Sequence, residues 1–122
     1  MSRQDLPPWL KEQLARFDQL QQNLQTIILQ KQQVEMELSE IDRALEELKK
    51  INPGDTVYKS VGNLLVKADR DGLIKELVER KELANTRIMV LTKQESRVRE
   101  SVKELQEKIN EAIKGRTSPE AQ

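Results

Sequence analysis

Asp69 and Asp71 are two carboxylates two residues apart, the kind of pair that general acid–base chemistry would use. Such chemistry also needs a nucleophile and a group to orient it, and no such constellation occurs in the chain. There is no histidine and no cysteine, which removes the usual general base, the thiolate nucleophile and the commonest metal ligands. The four glycines fall in no phosphate-cradling pattern, and none leads into the Gly-Lys-Ser or Gly-Lys-Thr of a P-loop. Asp69 and Asp71 therefore read as a helix start, where a carboxylate caps free N–H groups. No enzyme is expected, and no catalytic, cofactor or metal site.

Charge narrows the partners. Lysine plus arginine equals aspartate plus glutamate at 21 each, so there is no net basic field to draw phosphates, and nucleic acid is not an expected partner. The longest apolar runs, Ile27 to Leu29 and Ile88 to Leu91, are far shorter than the roughly 20 residues that span a bilayer. Asp5, Pro7 and Pro8 precede any apolar run, unlike a signal peptide, so a cytoplasmic protein away from membranes is expected. One Trp, one Tyr and one Phe in 122 residues, with 34% charged residues, cannot build a thick globular core. Long helices that bury a narrow seam fit this composition.

The apolar spacing agrees. A first seam runs Leu10, Leu14, Phe17, Leu20, Leu24, Ile27, Lys31, Val34, Leu38, Ile41, Leu45, Leu48, in steps of three and four. Leu14, Phe17 and Leu20 make two successive steps of three, the mark of a stammer that overwinds a supercoil locally. A second seam runs Ile74, Leu77, Lys81, Ala84, Ile88, Leu91, Glu95, Val98, Val102, Leu105, Ile109, Ala112 without a break. Helix one is expected over 8–51, ending at Asn52-Pro53-Gly54, where proline stops the ladder and Asn or Gly takes a left-handed cap. Helix two is expected over 73–114, with a disordered tail over 115–122. Each seam spans roughly 60 Å at 1.5 Å per residue, and matched lengths imply antiparallel pairing in a single domain. Lys31, Lys81 and Glu95 either lock that register, Lys31 with Glu95, or snorkel out of a two-helix seam.

Between the seams, over 52–72, the period changes. Val57-Tyr58-Lys59-Ser60-Val61 and Leu64-Leu65-Val66-Lys67-Ala68 flank Gly62-Asn63, a two-residue turn signal of the Gly-X kind. That turn sets Val61 opposite Leu64, Lys59 opposite Val66 and Val57 opposite Ala68, with Tyr58, Ser60, Leu65 and Lys67 on the reverse face. A lone two-stranded hairpin is marginal in water and carries two open edges. Hairpins added edge to edge until the sheet closes would cover it; the alternative is a β-tongue folded back on its own coil. The fold class is thus mainly α: an antiparallel two-helix coiled coil bridged by one β-hairpin that joins an oligomeric β-barrel. Assembly is assigned to Val57, Tyr58, Val61, Gly62, Asn63, Leu64, Leu65 and Val66. At the end carrying both termini, Leu6, Trp9, Leu10, Leu14, Phe17, Leu105, Ile109 and Ile113 are the candidates for exposed apolar contact surface, or else for ordinary seam packing.

These residues resemble the prefoldin family, in its archaeal beta type. The resemblance is carried by VYKSVGNLLVK (Val57 to Lys67), QLQQNLQTIILQKQQVEMEL (Gln19 to Leu38) and ELANTRIMVLTKQESRVRE (Glu82 to Glu100), and covers about Leu6 to Ile113. Tyr-x-x-Val-Gly-x-x-Leu is its specific core, and a single hairpin is similar to the beta rather than the alpha type. Asn85, Thr86 and Met89 depart from the charged or leucine-rich family pattern, and Trp9 is unusual. The resemblance implies a hetero-hexamer of two alpha and four beta subunits whose hairpins build a β-barrel body. It further implies an ATP-independent holdase chaperone whose coiled-coil tips hold unfolded proteins and pass them to a group II chaperonin. The competing readings are a coiled-coil tether or scaffold without client binding and a helical nucleic-acid-binding arm, the latter opposed by the charge balance.

Overall fold

Residues 5–117 are described in a computed structural model of the chain. Their order is α1 (Pro8–Lys49), β1 (Val57–Val61), β2 (Leu64–Ala68) and α2 (Arg70–Thr117). The two helices and the intervening antiparallel hairpin are those expected from the change of apolar period.

The residues at each boundary show why the elements stop where they do. The Pro7 carbonyl accepts from the N–H groups of Leu10 and Lys11 at 3.0 and 3.1 Å, so Pro7 caps α1 and Pro8 fills the first turn, where no N–H is needed. At the other end the helix stops at Lys49, two residues short of the expected 51, and tightens through Lys50 N–H to Glu47 O and Ile51 N–H to Leu48 O. Gly54 is not the cap: its φ of 93° places it third in a β-turn closed by Asp55 N–H donating to Asn52 O at 3.1 Å. With Pro53 second, the turn has the type II pattern, which needs positive φ at that glycine. The C-terminal cap comes instead from Arg70, whose Nε donates to the Leu48 carbonyl at 2.9 Å. A cation there also complements the negative end of the helix dipole.

Helix α2 begins at Arg70 rather than 73 because Asp69 caps it. The Asp69 carboxylate accepts from Gly72 N–H at 2.9 Å, and its carbonyl accepts from Leu73 N–H. Of the two carboxylates, Asp71 has a different partner, the Arg70 guanidinium at 2.7 Å. The helix also continues through Gly115 to Thr117, into the segment expected to be a tail; 118–122 lie outside the described residues.

The chain packs as two units, one of Lys31–Val90 and one of Met1–Gln30 with Leu91–Gln122. In the first, Ile41, Leu45 and Leu48 of α1 bury against Leu77 of α2, with Ile51 and Ile74 packed alongside. In the second, Leu10 of α1 buries against Leu105 and Ile109 of α2. Every residue of both expected seams is buried or half-buried, as heptad spacing requires. One reading of the spacing changes. Gln13 is half-buried, so burial falls on 10, 13, 17, 20, 24, 27, 31 and 34 in unbroken steps of three and four. The apparent stammer arises from counting Leu14 in place of Gln13; Leu14 is the half-buried neighbour of a regular seam.

Two of the charged seam residues, Lys81 and Glu95, meet counter-ions. Lys81 is only partly buried and reaches Asp42 of α1 at 2.7 Å, while Arg80 reaches Glu37 at 3.2 Å. Glu95 is held by Arg99, one turn on in its own helix, at 2.9 Å. For Lys81, a long side chain that reaches the rim of the seam lowers the cost of the charge.

Candidate functional site

The hairpin is the first of two candidate surfaces. Its pairs are Val57 with Ala68, Tyr58 with Lys67, Lys59 with Val66, Ser60 with Leu65 and Val61 with Leu64, the register expected from a Gly62-Asn63 turn. Gly62 has a φ of 58°, and among the described residues no non-glycine has positive φ, which is the pattern of a type II′ turn. Its backbone twist matches that of the strands it joins.

Packing divides the hairpin along its length. Val57 is 6% exposed and sits in the Ile41–Leu45–Leu48–Leu77 cluster, with Ala68 half-buried opposite it. Further out, Val61, Leu64 and Val66 continue the same face uncovered, while Tyr58 and Leu65 stand exposed on the reverse, Leu65 at 75%. Both faces of the outer hairpin thus present large apolar side chains to solvent. Its edges are open too, since the sheet has two strands and nothing pairs beyond them among the described residues. In a hairpin closed by a two-residue turn, the flanking pair Val61 and Leu64 exchanges hydrogen bonds, and the pattern alternates from there. The backbone groups of Tyr58 and Ser60 on one edge, and of Leu65 and Lys67 on the other, therefore point outward. An extended strand of complementary register is what such an edge accepts.

The second surface lies where α1 begins and α2 ends. Among the expected contact residues, Leu10 at 0% exposed, Leu105 and Ile109 are interior, and Leu6, Leu14 and Phe17 are half-buried against them. These six pack this end; they do not form an open apolar surface. Trp9, at 54%, and Ile113 are the two that stand exposed. Trp9 borders a groove of about 450 Å³ whose other walls are Leu10, Gln13, Lys108, Ile109, Glu111 and Ala112. An apolar floor rimmed by an amide and two opposite charges suits a bulky apolar side chain on a polar backbone. Gln13, Lys108 and Glu111 escape an apolar-seam reading because they are polar; the seven-residue spacing of 13, 20 and 27 is the signal that places Gln13 in line.

Among the described residues no group of three or more His, Cys, Asp or Glu side chains is placed to hold a metal ion. No helix there is long and apolar enough to cross a membrane.

A family model described as prefoldin subunit matches residues 11–116. A prefoldin subunit beta from Pyrobaculum arsenaticum is 42% identical over 108 residues, 88% of this chain and 87% of the relative. One from Saccharolobus islandicus is 48% identical over 108 residues, 88% of this chain and 86% of the relative. The crystal structure of the prefoldin beta subunit from Thermococcus strain KS-1 superposes with a TM-score of 0.78 at 38% identity, covering 89% of this chain and 96% of that one. The beta2 subunit of the same strain, at 23% identity and a TM-score of 0.67 over 75% of this chain and 97% of that one, shares the fold.

Proposed function

The chain belongs to the prefoldin family in its beta type, a family of chaperone subunits and not of enzymes, and on that premise we propose that it is an ATP-independent holdase subunit built into a hetero-oligomer by its hairpin. The supporting observation is the uncovered outer hairpin. Tyr58, Val61, Leu64, Leu65 and Val66 are exposed on both faces of a sheet with two open edges. Hairpins of neighbouring subunits, an alpha-type partner among them, would close such a sheet into a barrel and cover this surface. Two alpha and four beta subunits is the stoichiometry we assign, in a cytoplasmic complex free of nucleic acid and membrane.

Client capture belongs to the end that carries Trp9 and the groove beside it. Weak apolar contacts from several subunits add up around one unfolded chain, and their individual weakness permits release to a group II chaperonin. Assembled with its partner subunit, the chain cut to residues 18–104 should keep the mass of the complex and lose its suppression of aggregation of a denatured test protein. Equal protection by the cut complex would leave a tether or scaffold as the better reading.

A further inference from the structure

The hairpin is joined to α2 by a single residue, Asp69, and to α1 by the longer stretch 50–56. A two-stranded sheet held at so short a connection would pivot about it unless braced. Two sets of contacts cross the pivot. Val57 and Ala68 pack on the helix cluster, and Lys59 Nζ donates to both carboxylate oxygens of Glu76, at 2.8 and 3.0 Å. Lys59 and Glu76 are 17 residues apart. Glu76 lies six residues into α2, about 9 Å along the axis from its first residue. Lys59 lies two rungs outward from Val57, on the same face of the hairpin, midway between the docked rung and the free rung of Val61 and Leu64. The pair is therefore placed as a strut between strand and helix.

We propose that Lys59 and Glu76 are positioning residues for assembly, holding the hairpin at the angle to α2 at which a neighbouring hairpin can add to it. This rests on the assignment of the hairpin as the assembly element. Both side chains are about two-fifths exposed, so the pair adds little to the stability of the chain itself. Its effect appears in docking: a hairpin already at its bound angle does not lose orientational freedom when a second one adds. The reach and the two-oxygen contact distinguish this pair from Lys50–Glu47, an exposed pair within one turn.

The test uses Lys59→Glu, Glu76→Lys and the double swap, each mixed with an alpha-type partner subunit. Each single reversal should weaken assembly, read by sedimentation, by about fivefold or more, since it replaces an attraction with a repulsion of similar size. It should also speed amide exchange in the hairpin of the isolated chain, with helical circular dichroism unchanged. The swap should restore both readouts, and Lys59→Arg should keep them near the original. Failure of the swap to restore hairpin protection, or single variants that assemble as tightly as the parent, would overturn the proposal. If instead the parent chain does not assemble through its hairpin, the assembly reading fails, while the exchange measurements still decide whether the strut exists.

Discussion

Replacing Val57 by alanine separates the two halves of the hairpin. Val57 is 6% exposed and is the buried hairpin residue of the Ile41–Leu45–Leu48–Leu77 cluster, with the half-buried Ala68 packed against it, so its loss removes two buried carbons from a closed site. At about 0.8 kcal/mol per carbon, the transfer contribution is about 1.6 kcal/mol. A small residual cavity raises the total to about 2 kcal/mol. That is about a 30-fold shift in the docking equilibrium of the hairpin base. Amide exchange on the isolated chain reads it directly: the N–H groups of Lys59 and Val66, which face inward between the strands, should exchange about 30-fold faster. Leu64→Ala is the contrast. Leu64 is 68% exposed in the single chain, and its truncation should change stability by less than about 0.5 kcal/mol while still weakening assembly. If Val57→Ala left exchange at Lys59 and Val66 within about threefold of the parent, Val57 would not be the anchor, and the division into a docked base and a free outer half would be wrong.

Asp69→Ala removes the carboxylate that accepts from Gly72 N–H, and should lower stability in urea by about 1 kcal/mol, with the loss concentrated in the first turn of α2. Ser60→Pro removes an outward-pointing N–H, so the hairpin should survive in the isolated chain while assembly through the β1 edge is lost; sedimentation unchanged from the parent would mean that this edge is not used. Trp9→Ala should leave the urea midpoint almost unmoved, because the side chain is mostly exposed, yet reduce protection of a denatured client by the assembled complex; Leu10→Ala, at a fully buried position, should cost about 2–4 kcal/mol.

The regular parts of this fold are visible in residue spacing because heptads and a Gly-X turn are local signals. Lys59 opposite Val66 needs only the turn at Gly62-Asn63, and the burial of Leu77, Ala84 and Leu91 needs only a period. What spacing does not reveal are choices between equivalent local signals and contacts between distant residues. Gly54 and Asn52 look like a helix cap, but the Leu48 carbonyl near the end of α1 is met by Arg70, 22 residues beyond it. Gln13 is passed over because it is polar, which manufactures an irregularity at Leu14 that burial does not show. Asp69 and Asp71 both look like the start of α2, and it is Asp69 that caps it, through Gly72 N–H. At the end carrying Trp9, spacing leaves open whether an apolar residue near a terminus faces solvent or the seam; in the structure Leu10, Leu105 and Ile109 pack against one another.

Native mass spectrometry of this 14.2 kDa chain mixed with an alpha-type prefoldin subunit tests the central claim, that the hairpin builds the assembly. A complex of four copies of this chain with two alpha subunits is expected, replaced by free chains when Leu64 is changed to Asp. A mixture of free chains from the parent protein, or a complex that persists unchanged with Leu64→Asp, would contradict it.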